Sequence, residues 1–191
     1  IYAAMWAGLY TYGTANGPHV GEAARDGCEL MILWATNLVS TGVHSIPFIR
    51  EAKDRGMKLV VVDPRKTRTT MFADVHIQPK PGTDAFLANA MMKVIVDKNL
   101  HDVDFLNEQT LGWEEFVEKI LPKYTLEEAE KITGVKAQDI EDLAVEYANT
   151  KKSYIRANYG LNRHQNSGQM CRAVLILPCF NGSWREETGG V

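Results

Sequence analysis

One short run of residues constrains this chain more than any other feature of its sequence. Residues 58–62 are rich in β-branched side chains, which favour strands, and Asp63 and Pro64 follow them. Because proline cannot donate to a sheet ladder, the strand predicted at 58–62 ends there. The apolar stretch 29–33 predicts another short strand, and so do the segments 75–78, which prolines follow, and 153–157.

Segments with helical spacing lie between these strands. Apolar residues recur at helical intervals over 45–55, which Gly56 closes, and another helix is predicted to begin near Asp84. Helical patterns then continue over 102–147. Strands that alternate with helices are typical of a parallel sheet covered on both faces. The sequence therefore predicts an α/β fold with three αβα layers and a mainly parallel sheet of the dinucleotide-binding type.

The length of 191 residues suits a single α/β domain, residues 1–191. We divide it into a helical lead-in (1–28), a βαβ nucleotide-binding half (29–100), a helical layer (101–150), and a strand, loop and helix (151–191). The chain starts at Ile1 rather than Met and stops within a predicted loop at Val191. These ends suggest a fragment of a larger multidomain protein.

Several classes of function are disfavoured by composition and motifs. A net charge of -3 without a basic stripe argues against a nucleic-acid partner. The sequence contains no run of 18 apolar residues, so it does not predict membrane insertion. Cys28, Cys171 and Cys179 form no C-x-x-C pair, so these cysteines alone do not predict a zinc or iron–sulfur site. The sequence also lacks G-x-S-x-G and H-E-x-x-H, and we assign no catalytic residue and no metal ligand within it.

Polar, turn-forming residues follow four of the predicted strands, where ligands of open parallel sheets bind. Asp63 suits a ribose diol, and Arg65 suits a pyrophosphate. Asn37 offers both a donor and an acceptor, and Gly82 allows a ligand to approach the backbone. Asp84 either caps its helix or accepts from the N–H edge of a guanine.

These residues also have structural interpretations. Asp63 followed by Pro64 is a common turn start, and Arg163 and His164 suit an exposed loop. No G-x-G-x-x-G follows a strand and no G-x-x-x-x-G-K-[ST] occurs, which disfavours an NAD(P)-dependent enzyme and a P-loop NTPase. From spacing alone, the chain is predicted to be a nucleotide-type binding domain.

Four segments together resemble the molybdopterin oxidoreductase family, which includes dimethyl sulfoxide reductase, formate dehydrogenases and nitrate reductases. The segments are residues 33–37, 60–69, 73–74 with 81–84, and 159–168. The resemblance covers about residues 29 to 190 and implies a molybdenum or tungsten oxidoreductase. In that family two pterin guanine dinucleotides (bis-molybdopterin guanine dinucleotide) hold the metal through their dithiolenes.

The resemblance further implies that this chain is an internal α/β domain of the catalytic subunit and cradles one of the two dinucleotides. The expected contacts to its guanosine and phosphates are Trp34, Asn37, Asp63, Pro64, Arg65, Thr67, Gly82 and Asp84. The residues expected nearer the pterin and the active-site funnel are Gly160, Asn162, Arg163 and His164.

Other parts of the family pattern are absent from these residues. The cysteines of an iron–sulfur cluster and the metal-binding Cys, selenocysteine or Ser are expected upstream of Ile1. The expected partners are the remaining domains of the same catalytic subunit, with an iron–sulfur electron-transfer subunit as a candidate. Alone, the chain is expected to be inactive. Relatives work in the cytoplasm or on the periplasmic, extracytoplasmic side of prokaryotes, and the sequence does not choose between these locations.

One alternative of a different class stays open from the sequence. A stand-alone α/β module that binds a guanine nucleotide or a protein, without catalysis, would show the same strand-end pattern. A longer native reading frame favours the enzyme fragment over this module.

Overall fold

A computed structural model describes residues 2–14 and 17–191 of the chain. Within them the strands are β1 (Leu30–Trp34), β2 (Lys58–Val62), β3 (Val75–Ile77) and β4 (Ser153–Ala157). The helices are α1 (Tyr2–Tyr12), α2 (Val20–Arg25), α3 (Leu38–Thr41), α4 (Ile46–Asp54), α5 (Asp84–Asp97), α6 (Val103–Gln109), α7 (Trp113–Lys119), α8 (Leu126–Thr133), α9 (Ala137–Asn149), α10 (Ser167–Leu175) and α11 (Leu177–Asn181). Ile1, Ala15 and Asn16 of the predicted helical lead-in lie outside the described residues.

The strands form one sheet in the order β3-β2-β1-β4, and each neighbouring pair is parallel. The central strand β1 lies between β2 and β4, so Trp34 pairs with both Val62 and Ala157. Parallel neighbours require crossover connections, which the helices between the strands supply. The predicted parallel α/β fold is confirmed.

Alternate residues of the strands point into two separate cores. Ile32 and Trp34 of β1 belong to the larger core, which α5, α9 and α10 cover. Met31 and Leu33 point the other way, into a smaller core beneath α2 and α4. Successive side chains of a strand face opposite sides of the sheet, and here both sides are buried. The predicted three-layer arrangement is therefore also confirmed.

Helix α5 is the central helix of the larger core. Leu87, Met91, Met92 and Ile95 have no exposed surface, so the helix is surrounded by other elements along most of its length. Burial of each such side chain contributes about 1.5–3 kcal/mol relative to leaving it exposed. This packing fixes the start of α5, at Asp84, relative to the strand ends.

Asp74 of the Ala73-Asp74 pair has a structural role. Its Oδ2 accepts hydrogen bonds from the Leu59 amide, at 2.8 Å, and from Lys53 Nζ, at 2.6 Å. Burial raises the pKa of Asp74, but these two donors more than offset it and hold the pKa below its usual value. The carboxylate thereby joins α4 to the strands β2 and β3.

The segment after β4 differs from its prediction. We expected a loop over 158–168 and a helix over 169–177, whereas Tyr159–Arg163 forms a 3-10 turn and α10 begins at Ser167. Asn166 adopts a left-handed conformation (φ 64°) and serves as the N-cap, which allows α10 to start earlier. The sequence also predicts that Pro178 ends or kinks this helix. In the structure α10 ends at Leu175, and Pro178 lies in the first turn of the separate helix α11, so the predicted break is confirmed.

Candidate functional site

The carboxyl ends of the four strands lie side by side at one edge of the sheet, here called the carboxyl edge. Backbone hydrogen bonds continue just past the strands: Ala35 N donates to the Val62 carbonyl at 2.8 Å, and Asp63 N to the Ile77 carbonyl at 3.1 Å. Asn158 N donates to the Trp34 carbonyl at 3.2 Å. The segments that the sequence analysis selected therefore meet at this edge, although up to about 130 residues separate them in the chain.

Gly160 lies where the β4 loop crosses the end of β1. Its N–H donates to the Ala35 carbonyl at 3.3 Å, and a Cβ added to Gly160 would lie 2.7 Å from that oxygen. Ala35 itself has a left-handed backbone (φ 54°), which is uncommon for a residue with a side chain. A glycine at 160 is therefore required by the close approach of the two backbones.

Asn37 is engaged by neighbouring side chains. Its Oδ1 accepts from the hydroxyl of Thr69 at 2.8 Å, and its Nδ2 donates to Ser40 Oγ at 3.2 Å. Thr69 is buried, and its Oγ1 also accepts from the Val39 amide at 3.2 Å. Thr69 is not among the predicted site residues. Its hydrogen bond to Asn37 joins residues 32 positions apart, and no local pattern in the sequence predicts such a contact.

The segment after β2 is a tight turn. Asp63 Oδ1 accepts from the Arg65 amide at 2.8 Å, so part of this carboxylate holds the turn, as its structural interpretation predicted. The Pro64 carbonyl accepts from Gln78 Nε2 at 3.3 Å, and the Arg65 side chain is exposed. The turn thus exposes the Arg65 guanidinium at the carboxyl edge. Asp63 Oδ2 takes no part in the bond between Asp63 Oδ1 and the Arg65 amide.

Two buried polar atoms of the predicted set lack an internal partner. Within residues 2–14 and 17–191, neither Thr67 Oγ1 nor Asn162 Nδ2 makes a hydrogen bond, although both atoms are buried. Leaving a buried polar group without a partner costs about 1–3 kcal/mol, so such atoms usually have one. Asn162 Oδ1 lies 3.6 Å from Cys171 Sγ, which attaches this loop to α10.

Trp34 and Asp84 form the most buried polar contact of the carboxyl edge. Trp34 is fully buried, and its indole Nε1 donates to Asp84 Oδ1 at 2.8 Å. Thr83 occupies the N-cap position of α5 and Asp84 is the first helical residue, so Asp84 is not the N-cap that one interpretation predicted. Burial raises the pKa of the Asp84 carboxyl, while the Trp34 bond acts to lower it.

A second contact joins the turn before α5 to the loop after β4. Gly82 has a left-handed backbone (φ 84°), and side-chain atoms of His164 lie 3.4–3.5 Å from where a Cβ on Gly82 would be. The charge of His164 also lowers the pKa of Asp84, while that of Asp63 raises it. The structure therefore brings Gly82, Asp84 and His164 together with Asp63 nearby. Arg163 is exposed at the end of the 3-10 turn.

A large cavity lies away from the predicted site residues. Its volume is about 1260 Å³, and it opens between α1, α6, α7, α10 and the outer side of β4. Ala157, Asn158 and Tyr159 line the part of it that reaches the carboxyl edge, whereas none of the twelve predicted site residues lines it among the described residues. Of the predicted residues, Pro64, Arg65, Gly160 and Arg163 are exposed, whereas Trp34 and Asp84 are buried.

The structure offers neither a metal centre nor a membrane-spanning helix where it describes the chain. In that part, no group of three or more His, Cys, Asp and Glu side chains is placed to hold a metal ion. Over the same residues, no helix has both the length and the apolar character needed to cross a membrane.

Comparison with known proteins gives a consistent family match. A family model described as molybdopterin oxidoreductase matches residues 25–191. The probable oxidoreductase YoaE of Bacillus subtilis (strain 168) is 39% identical over 181 residues, which are 95% of this chain and 26% of that protein. Formate dehydrogenase H of Escherichia coli (strain K12) is 34% identical over 166 residues, which are 87% of this chain and 23% of that protein.

A solved structure matches as well. Acetylene hydratase from Pelobacter acetylenicus superposes with a TM-score of 0.76 at 27% identity, over 94% of this chain and 25% of that one. The chain thus spans about a quarter of the length of each of these relatives.

Proposed function

Because the chain belongs to the molybdopterin oxidoreductase family, we propose that its carboxyl edge binds the guanine nucleotide part of one molybdopterin guanine dinucleotide. The full-length protein would be a molybdenum or tungsten oxidoreductase that carries two such dinucleotides. The observation that carries the proposal is the buried carboxylate of Asp84, held at the strand ends by Trp34.

The residues at the edge fit such a ligand. Thr67 Oγ1 and Asn162 Nδ2 are buried atoms without a partner among the described residues, and a ligand with many polar groups would satisfy them. Gly82 carries no side chain beside the His164 side chain, and Gly160 carries none where its backbone approaches Ala35. The edge therefore offers unsatisfied polar atoms together with room for a flat, polar group.

Each part of the nucleotide has a matching group. Guanine presents an N1–H and a 2-amino group as adjacent donors, and the Asp84 carboxylate is an acceptor-only group that matches them. The exposed Arg65 guanidinium suits the pyrophosphate, because its fork of donors matches phosphate oxygens. Asp63 Oδ2 is the group that suits the ribose hydroxyls.

The loop after β4 would face the pterin end of the same ligand. Gly160, Asn162, Arg163 and His164 lie on this loop, and His164 already contacts Gly82. When bound, the cofactor would supply a molybdenum or tungsten centre for redox chemistry, and this chain would bind and orient one of its dinucleotides. The partners we propose are the remaining domains of the catalytic subunit and an iron–sulfur electron-transfer subunit.

Calorimetric titration of the purified chain with GDP tests the proposal. We expect GDP to bind more tightly than ADP, because adenine has an acceptor at N1 where guanine has a donor. Asp84→Ala and Asp63→Ala should each weaken GDP binding, Asp84→Ala by about tenfold or more, which is the effect expected for lost hydrogen bonds to a charged group.

The control variant is Asp54→Ala, an exposed aspartate that ends α4, on the side of the sheet where β2 begins rather than at the carboxyl edge. It should bind GDP as the wild-type chain does. A folded chain that does not bind GDP, or that binds GDP and ADP equally, contradicts the proposed function.

A further inference from the structure

We propose that Trp34 is a positioning residue that holds the Asp84 carboxylate in the orientation that selects guanine. This inference rests on the proposed function of Asp84. The resemblance places Trp34 among the ligand contacts, but Trp34 has no exposed surface, so it would act on the site through its indole N–H rather than by touching the ligand.

The contact joins the two most firmly held elements next to the site. Trp34 is the last residue of β1, which is paired on both sides, and Asp84 is the first residue of the buried helix α5. The 2.8 Å bond from Nε1 to Oδ1 removes the rotational freedom that an aspartate side chain would otherwise have. Asp84 itself is buried and keeps 7% of its surface exposed.

A fixed carboxylate discriminates between bases better than a mobile one. Guanine donates two parallel hydrogen bonds that require both carboxylate oxygens in one plane, and adenine offers an acceptor at N1 in the same place. A carboxylate that rotates freely can turn away from adenine at little cost. A carboxylate that Trp34 holds cannot turn away, so adenine would leave it without the two hydrogen bonds that guanine donates.

The charges around Asp84 make this arrangement sensitive to pH. Burial raises the pKa of Asp84, and the bond from Trp34 lowers it. His164, in the loop after β4, also lowers this pKa, and Asp63, after β2, raises it. Cys171, on α10, also interacts with this carboxylate; burial and then the Asp84 charge raise the pKa of its thiol.

The sign of the pH dependence follows from the ionised form of Asp84. Only that form accepts both guanine donors, so GDP affinity should fall as the pH drops through the Asp84 pKa. Removal of the Trp34 donor raises that pKa, so the fall should begin at higher pH.

The test is calorimetric titration of Trp34→Phe with GDP and ADP across a pH series. Phenylalanine keeps an aromatic ring in the core but has no N–H. We expect GDP binding about tenfold weaker at pH 7, an affinity midpoint displaced to higher pH, and a smaller ratio of GDP to ADP affinity. Trp113→Phe is the matched control, because Trp113 also donates its indole N–H to a side chain, Asn107, but lies on α7.

A measurement on the wild-type chain needs no variant. The NMR shift of the Trp34 indole proton should change with pH as Asp84 titrates, and its midpoint should coincide with the midpoint of GDP affinity. Two different midpoints overturn the inference. So does a folded Trp34→Phe chain whose GDP affinity, pH profile and base selectivity match the wild type.

The two proposals fail in different ways. If the wild-type chain does not bind GDP at any pH, the proposed function fails and the inference fails with it. If the wild-type chain binds GDP and Asp84→Ala does not, while Trp34→Phe is indistinguishable from the wild type, the inference alone fails.

Discussion

At the scale of single residues, the carboxyl edge depends on a position where no side chain fits. A Cβ on Gly160 would lie 2.7 Å from the Ala35 carbonyl oxygen and 2.8 Å from the Ala35 Cβ. Both atoms belong to Ala35, which directly follows the central strand and bonds through its amide to the Val62 carbonyl, so it cannot move without disturbing that contact. Gly160→Ala should therefore lower the free energy of unfolding by about 1–3 kcal/mol, the usual cost of overpacking, measured by denaturant titration.

The matched control for Gly160→Ala is Gly168→Ala. Gly168 lies in the first turn of α10, and nothing is within 4 Å of the position its Cβ would take. This substitution should leave the unfolding free energy unchanged or raise it by up to about 1 kcal/mol, since alanine restricts the unfolded chain. Equal effects of the two substitutions would contradict the steric argument.

Sequence reasoning found many residues of the edge but not the contacts between them. Asp63 and Asp84 were selectable because a polar residue at a strand end has a physical reason to be there. The bond between Trp34 and Asp84 spans 50 residues, and the bond between Asn37 and Thr69 spans 32. Such contacts depend on the packing of β1 against its neighbours, so no local pattern in the sequence predicts them.

At the scale of elements, one buried asparagine joins three of them. Asn181, at the end of α11, donates from Nδ2 to the Tyr147 carbonyl of α9 at 3.0 Å and to Ser153 Oγ of β4 at 2.9 Å. Its Oδ1 accepts from the Ser183 amide at 3.0 Å, and the residue has no exposed surface. These bonds fix where β4 begins relative to the helices that cover it.

Asn181→Ala should lower the free energy of unfolding by about 2–4 kcal/mol, because it leaves several buried groups without partners. Asn149→Ala is the control, since Asn149 is exposed and its amide bonds to Val145 in the same helix. We expect that control to change stability by no more than about 0.5 kcal/mol. Comparable losses, measured by thermal or denaturant unfolding, would contradict the role assigned to Asn181.

Strands were easier to predict than the segment after β4. The segments 58–62 and 153–157 form strands over those same residues, and the β-branched, apolar residues of 58–62 suit a buried parallel strand. The segment 158–168 is rich in polar residues and Gly, which indicates a loop, yet part of it forms a 3-10 turn. That turn is stabilised by contacts with α10 and the end of β1, which a local pattern does not contain.

At the scale of the whole molecule, the proposed ligand site and the cavity beside α1 are separate features. The predicted site residues lie along the carboxyl edge, whereas the cavity of about 1260 Å³ opens beside α1. An open edge cannot enclose a dinucleotide by itself, which agrees with a protein in which further domains complete the site. In the proposed function, the predicted residues would form one wall of the site, and further domains of the full-length protein would supply the others.

Helix α1 leads to a prediction about association of the chain in isolation. Tyr2, Met5, Trp6, Leu9 and Tyr10 recur at helical spacing and are all exposed, with Tyr2 at 77% and Tyr10 at 74%. A continuous apolar stripe of this kind is uncommon on soluble monomers and favours contact with another surface. We expect the isolated chain to self-associate weakly through this stripe, seen as a molar mass that rises with concentration in sedimentation or light scattering.

A substitution within the stripe should reverse this association without unfolding the chain. Trp6 stacks on Tyr10 with ring centroids 5.5 Å apart, and both side chains are exposed, so Trp6→Glu places a charge in the contact while removing little from the core. Met71→Glu is the control, because Met71 is 82% exposed but lies outside α1, in the 3-10 turn at Arg68–Phe72. Trp6→Glu should be monomeric and Met71→Glu should associate as the wild type does. If both variants behave alike, the stripe on α1 is not the contact surface, and a wild-type chain that stays monomeric at high concentration contradicts the prediction altogether.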